Sequence, residues 1–343
     1  MRTIAIDCRF ATSGVGLGRY TREIVRRIVE LGGARFVLIG PDGPPSWMGT
    51  DATYETVHAD IGHYSVTEQI VLPQMINRTK ADLLFVPHFN VPMGVDMPFV
   101  VTVHDLILHT YPNNASVFKR LAYYALMRHA VRRARSLIVV SEYVRGELLG
   151  RYGAAVAEKS VVITEGVDES YGPRSQAERE SIMQRYGLSK PFFLYVGSAK
   201  QHKNVSVLIK AFRIAHPDDM ELILVSGGKE AAALHPLPSN IRMLQNVPDQ
   251  DLPALYSAAK AFVTASLYEG YGLPVAEALA CGCPVIASDR SAIPEVANGH
   301  AMLIEPTVEA FASAFTRSPK ATAPYRAGSW DDAAVKTHGI LMQ

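Results

Sequence analysis

Short runs of apolar, mostly β-branched residues recur along the chain, each followed by a polar or glycine-rich turn and then by a segment with helical spacing. In the first half Thr3 to Asp7, Arg35 to Ile39, Leu83 to Val86, Phe99 to Val103, Leu137 to Val140 and Val161 to Thr164 read as strands. Arg19 to Leu31 places Tyr20, Ile24, Ile28 and Leu31 on one helical stripe, and Glu68 to Asn77 and Val117 to Arg135 read as further helices. The second half repeats the pattern. Its strands fall at Pro191 to Val196, Glu221 to Val225, Ile241 to Leu244, Ala261 to Thr264 and Val285 to Ala287, and its helices at Val205 to Ile214, Asp249 to Ala258 and Val275 to Cys281. The strands are continuous apolar runs rather than half-polar alternations, as in a parallel sheet covered on both faces. The expected fold is α/β: two doubly wound domains, residues 1–170 and 171–325, joined in the polar stretch Asp168 to Glu180 and facing each other across a cleft. In such folds ligands bind beyond the carboxyl ends of strands, so the residues that follow strands carry the functional signal.

A chain of 343 residues fits two cores better than one. With 34 basic and 33 acidic side chains it lacks the basic excess of a nucleic-acid-binding surface, so no nucleic-acid partner is expected. Three cysteines, Cys8, Cys281 and Cys283, are too few for a disulfide framework, and the C-x-C pair reads as small buried residues. No signal peptide or membrane-spanning run is read, and a cytoplasmic location is the expectation.

Four stretches after strands carry chemistry. Gly14-Val15-Gly16-Leu17-Gly18 precedes a helix, where glycines let backbone approach an anion and the helix start offers N–H groups. Its spacing is not the dinucleotide fingerprint, and a tight turn is the alternative reading. His104-Asp105 closes the strand Phe99 to Val103; a polar pair there is costly unless it serves a ligand or a hydrogen-bond network. No neighbouring nucleophile makes a hydrolase triad, and no compact set of further ligands joins His88, His104 or His109 for a metal. In Ser198-Ala199-Lys200-Gln201-His202-Lys203-Asn204, Lys203 stands near a helix start and is placed for a phosphate, or is a solvated loop lysine. The strongest stretch is Glu269-Gly270-Tyr271-Gly272-Leu273-Pro274-Val275-Ala276-Glu277. Two carboxylates flank a glycine-opened helix terminus, which suits a ligand with hydroxyls at both ends and a diphosphate between them.

This E-x7-E stretch, with the Lys203 loop, resembles the retaining, two-domain nucleotide-sugar glycosyltransferases of family four, which have the GT-B architecture. The likeness extends over Leu194 to Gly197, Leu208 to Phe212, Ala278 to Ala287, Ser291 to Val296, Gly14 to Gly18, Thr102 to Leu106 and Val139 to Glu142, essentially the whole chain. Ser329-Trp330-Asp331-Asp332 resembles the start of the family's last helix, so residues 326–343 are expected to cross back onto the first domain. By the resemblance Glu269 meets the transferred sugar and Glu277 the ribose, while Ser198, Lys203 and the amides of Gly270, Tyr271, Gly272 and Leu273 lie along the diphosphate. Gly14, Gly16 and Gly18 are implied donor-binding positions. His104 is implied beside the anomeric carbon with Asp105 setting its orientation, so His104, Asp105 and Glu269 are the catalytic set. Neither a metal nor a cofactor is implied. One departure is Ser198, where many members carry an arginine on the diphosphate. Members lacking it and sharing the Asp289 to Glu295 pattern resemble polysaccharide mannosyltransferases that use GDP-mannose, with a glycan or lipid-linked glycan as acceptor.

The alternatives are a UDP- or dTDP-sugar donor on the same fold, an epimerase or phosphorylase-like catalyst, and a silent nucleotide-sugar-binding module. Acceptor choice is expected in the loops Trp47 to Val66 and Val86 to Asp96. Lys119 to Arg135 carries six basic and no acidic side chains, interleaved with Leu121, Tyr123, Tyr124, Leu126 and Met127. It reads either as a helix lying on an anionic membrane surface or as one whose apolar side covers the sheet.

Overall fold

The β-branched runs form buried parallel strands because only a sheet covered by helices on both faces can bury such residues on each side. The computed structural model describes residues 1–13, 16–41, 45–49, 52–112, 115–215, 219–317 and 324–343. The chain divides into two compact units, Met1–Gly166 with Gly328–Gln343, and Val167–Ala327.

Unit 1 holds strands β1 (Thr3–Asp7), β2 (Arg35–Gly40), β3 (Glu55–His58), β4 (Leu83–Val86), β5 (Phe99–Val103), β6 (Ser136–Val139) and β7 (Ser160–Val162), in the order β3-β2-β1-β4-β5-β6-β7. Every pairing is parallel. The order reverses between β1 and β4. Helix Gly16–Leu31 buries Tyr20, Ile24, Val25, Ile28 and Val29; Leu31, expected on the same stripe, is exposed because the helix ends there, at the left-handed Gly32 and Gly33. Helix Trp330–Met342, capped by Ser329 Oγ, packs on helix Gly16–Leu31. Trp330 is buried with its ring 5.9 Å from that of Tyr20, Arg27 pairs with Asp331, and His338 Nε2 meets the Gly32 carbonyl at 2.8 Å.

Unit 2 holds β8 (Phe192–Val196), β9 (Glu221–Val225), β10 (Ile241–Leu244), β11 (Ala261–Thr264), β12 (Val285–Ser288) and β13 (Met302–Ile304), in the order β10-β9-β8-β11-β12-β13, again all parallel. The order reverses between β8 and β11. Helix Val205–Ala215 turns Val205, Leu208, Ala211 and Phe212 onto the sheet and packs against helix Val308–Phe315. Phe193, Phe212 and Phe315 meet edge to face at the centre of this core. Both sheets therefore have the doubly wound topology read from the strand pattern, with the switch points at β1/β4 and β8/β11.

Candidate active site

The carboxyl ends of β8 and β11, adjacent strands at the switch point of unit 2, each lead into a polar loop. After β8 the chain passes Gly197, whose φ of +148° and 3.0 Å approach of an added Cβ to Tyr195 Oη both favour glycine. Tyr195 Oη donates to the Ser198 carbonyl at 2.7 Å. A short turn, Gln201–Lys203, then delivers Lys203 just ahead of helix Val205–Ala215, with Asn204 left-handed between them. After β11 the loop is tied to this turn: the Leu267 amide donates to the His202 carbonyl at 2.7 Å and Ser266 Oγ at 3.3 Å. Burial, and after it the Lys203 charge, push the His202 imidazole down to about 4, so it stands neutral under the loop.

These two loops bring Lys203 and Glu269 together. Lys203 Nζ lies 2.6 Å from both carboxylate oxygens of Glu269, and both side chains keep some exposure to solvent. The Glu269 amide donates to Ser291 Oγ at 2.9 Å, and Ser291, left-handed at φ +56°, follows β12. Ser291 in turn donates to the Arg290 carbonyl, while Arg290 pairs with Asp289 and Glu305 at the surface. Part of the Asp289 to Glu295 pattern thus acts on the backbone of Glu269. Gly272, with φ +108°, heads helix Leu273–Ala280; Pro274 carries no N–H, and the Val275 amide closes on the Gly272 carbonyl. Tyr271 is buried beside it. Glu277 lies a turn into this helix and is itself buried, accepting from Tyr256 Oη at 3.2 Å. Burial, then the Glu277 charge, raise the Tyr256 hydroxyl well above its usual range, which keeps it a donor.

In unit 1, His104 closes β5. Its Nδ1 lies 3.1 Å from Glu165 Oε1, beyond β7, and its Nε2 lies 3.0 Å from the carbonyl of Pro87, which follows β4. The Tyr20 ring meets it edge-on at 4.4 Å, and Tyr20 Oη is hydrogen-bonded to Thr102 Oγ1. The carboxylate on the His104 ring is thus that of Glu165, whereas Asp105, expected to orient the ring, uses Oδ1 to accept the Ile107 amide at 2.9 Å. The reason is geometric: β7 ends beside β6, and its continuation carries Glu165 back over the end of β5. Gly16 opens the first helix with open space at its Cα, while Gly18 is required by the fold, since a Cβ there would fall 1.9 Å from the Ser13 carbonyl oxygen. Gly14 lies outside the described residues.

The other strand ends at the switch point of unit 1 form a buried ionic cluster. Arg9, after β1, reaches Asp7 at 2.7 Å and Glu68 at 2.9 Å. Glu68 accepts from Asn90 and from the amide of Tyr64, which sits at φ +58° with its hydroxyl 3.1 Å from His88 Nε2. A tyrosine in the left-handed region costs about 1–3 kcal/mol and persists only when its surroundings hold it there, as Glu68 and His88 do here. Within the loops expected to choose the acceptor, Thr50 and Asp51 lie outside the described residues. Among the described residues no cluster of three or more His, Cys, Asp or Glu could hold a metal, and Cys281 and Cys283 are buried thiols pushed up to about 12 by burial.

Two sequence models of known families match, one to each half. The model described as Glycosyltransferase Family 4 matches residues 15–171, and that described as Glycosyl transferases group 1 matches residues 178–320. The chain is a family-four glycosyltransferase. It is 32% identical over 233 residues to O-antigen chain mannosyltransferase B of Escherichia coli, a match that spans 64% of this chain and 60% of that protein. It is 28% identical to O-antigen chain mannosyltransferase RfbU of Salmonella typhimurium, over 88% of this chain and 86% of the relative. Its fold is similar to that of sucrose-phosphate synthase from Thermosynechococcus elongatus, with a TM-score of 0.73 at 18% identity over 100% of this chain and 99% of that one. The architecture is GT-B.

In this glycosyltransferase the expected residues of the second half, Ser198, Lys203, Glu269, Gly270 to Leu273 and Glu277, occupy two cross-bonded loops and one helix start at the β8/β11 switch point. Glu165 and Ser291 were missed as site residues, although both follow strands and the rule that singled out Lys203 would have included them. On helix Val117–Arg133, Tyr123, Leu126 and Met127 are buried, Tyr123 against the rings of Phe89 and His109, so that much of its apolar content serves the core. The exposed large apolar residues of this helix are Val117, Phe118 and Leu121 at its start. No described helix is long and apolar enough to cross a membrane.

Proposed function

We propose that this glycosyltransferase moves mannose from GDP-mannose, with retention of the anomeric configuration, to a glycan or lipid-linked glycan acceptor during assembly of a surface polysaccharide. The observation that carries the donor site is the Lys203–Glu269 pair at the β8/β11 switch point, below a glycine-headed helix start. Lys203 meets the diphosphate by exchanging a Glu269 oxygen for a phosphate oxygen. The same exchange leaves Glu269 with lone pairs for the hydroxyls of the sugar. The Gly270 to Leu273 backbone takes up charge on the departing diphosphate, and Glu277, held by Tyr256, accepts from the ribose. Lys203 and these amides supply the electrostatic role that a cation fills elsewhere. His104 contacts the transferred sugar. The acceptor hydroxyl attacks on the face from which the diphosphate departs and passes its proton to a departing oxygen. Asp105 stays with the His104 group through the backbone it caps, and Gly14, Gly16 and Ser198 lie along the donor.

Support for mannose comes from the names of the two bacterial relatives and from the Asp289 to Glu295 pattern. The test is competition in one tube: GDP displaces a labelled sugar nucleotide better than UDP or dTDP. A clear preference for UDP overturns the guanosine donor and leaves the transferase class intact.

Helix Val117–Arg133 also supports peripheral contact with an anionic membrane. Phe118 is 84% exposed, beside exposed Val117, Leu121 and Lys119, and Arg128, Arg132 and Arg133 are exposed further along. Three apolar residues without cover at a basic helix start suit insertion among lipid headgroups. The protein is expected to float with vesicles containing anionic lipid and not with purely zwitterionic ones, and Phe118→Ser with Leu121→Ser should abolish most of the binding. Equal flotation of parent and variant would remove this surface from the proposal.

A further inference from the structure

His104 is held from two sides by groups that only accept hydrogen bonds. Nε2 faces the Pro87 carbonyl at 3.0 Å, and Nδ1 faces the Glu165 carboxylate at 3.1 Å. A ring with a single proton would set one nitrogen lone pair against an oxygen lone pair. Both contacts are satisfied together when each nitrogen donates, Nδ1 to the Glu165 carboxylate and Nε2 to the Pro87 carbonyl. Glu165 is 7% exposed and comes 61 residues after the histidine, from the segment that follows the strand pair β6–β7. Around the ring stand Tyr20 edge-on at 4.4 Å, His88 at 6.2 Å and the neighbouring Asp105; Tyr20 and His88 keep their protons on their usual neutral forms, both shifted chiefly by burial. Glu165 is therefore the carboxylate bonded to the ring.

We propose that Glu165 is the positioning residue of His104: it holds Nδ1, sets the rotation of the ring, and so presents Nε2–H as the donor to a hydroxyl of the transferred sugar, which takes the place of the Pro87 oxygen. The inference rests on the assignment of His104 to that sugar under the proposed function. It adds the residue that decides which nitrogen faces the substrate.

Two variants and one spectroscopic measurement test it. Glu165→Ala frees the ring to rotate and removes its hydrogen-bond partner; kcat should fall about 10- to 100-fold, the scale seen when the group that orients a metal-bound histidine is removed. Glu165→Gln can still accept from Nδ1 through its amide oxygen and should recover kcat to within several-fold of the parent. Affinity for the nucleoside diphosphate, set by unit 2, should be the same in all three proteins. The ring nitrogen signals of His104, assigned by their loss in His104→Asn, should show a hydrogen-bonded Nδ1–H in the parent that is lost in Glu165→Ala. Parental kcat in Glu165→Ala, or a parent ring with no hydrogen bond at Nδ1, overturns the proposal. So does a Glu165→Gln variant that falls as far as Glu165→Ala with an equal loss of thermal stability, since that outcome marks Glu165 as a structural tie. If the parent turns over no sugar nucleotide, the mannosyl-transfer reading fails, and the nitrogen spectra still decide the role of Glu165.

Discussion

Replacing Glu269 with Gln is expected to lower kcat about ten- to a thousand-fold, the range for single lost transition-state contacts, while nucleoside-diphosphate affinity stays at or above that of the parent. The first half of this outcome follows from the contact proposed between Glu269 and the transferred sugar. Hydrogen bonds to the hydroxyls of the transferred sugar tighten as positive charge builds at the anomeric carbon, and an amide accepts them more weakly than a carboxylate. The second half follows from the ion pair. In the parent, Lys203 must leave a carboxylate bonded through both oxygens at 2.6 Å before it can meet a phosphate. The amide releases it. Steady-state kinetics and calorimetry with the diphosphate measure the two quantities separately, and NMR of the first-formed glycoside should show the configuration of the donor retained. Full kcat in Glu269→Gln would leave this residue only as the counter-ion of Lys203. Diphosphate affinity well below the parent's would mean that the pair is needed intact to shape the cradle.

Trp330→Ala should destabilise unit 1 by about 3–5 kcal/mol, the cost of emptying a buried aromatic site. Trp330 is 2% exposed, lies against Tyr20, and comes from the helix that completes this unit from the far end of the sequence. In calorimetry the transition of unit 1 should fall by roughly 6–20 °C, because a unit of this size shifts about 2–4 °C per kcal/mol, while the transition of unit 2 stays in place. Tyr20 also bounds the His104 ring, so the loss of activity should begin at the lower temperature. A shift of unit 2 alone, or none, would show that the helix Trp330–Met342 contributes little to the stability of unit 1.

The central strands were legible because they are buried on both faces and therefore carry uninterrupted apolar runs; β5, Phe-Val-Val-Thr-Val, is buried at every position. The edge strands were not. β3, Glu-Thr-Val-His, is exposed along most of its length, and β13 is three half-buried residues, so neither has a pattern that separates it from a loop. Helix Val308–Phe315 was legible in principle, since Phe311 and Phe315 stand four residues apart on the buried face, but the segment is only eight residues long. At the site, the positions of Lys203 and Glu269 were legible from the strands before them, but their pairing was not, since 66 residues separate them and only the β8/β11 adjacency brings them together. The pairing of Glu165 with His104 was hidden for the same reason. Glu165 forms no motif with His104 in the chain, and its partner is set by the order of β5, β6 and β7.

Unit 1 is assembled from two pieces of sequence, with the whole of unit 2 encoded between them. On a ribosome this has a consequence in time. Residues 1–166 emerge early with the apolar face of helix Gly16–Leu31 bare where Trp330 and its neighbours belong, and the covering helix is made only after unit 2 has been synthesised. At about 5–20 residues per second that interval is on the order of ten seconds or more. Unit 2, being continuous, can finish folding first, so the half of the protein that is started first is completed last, and its uncovered helix is the surface a nascent-chain chaperone would find.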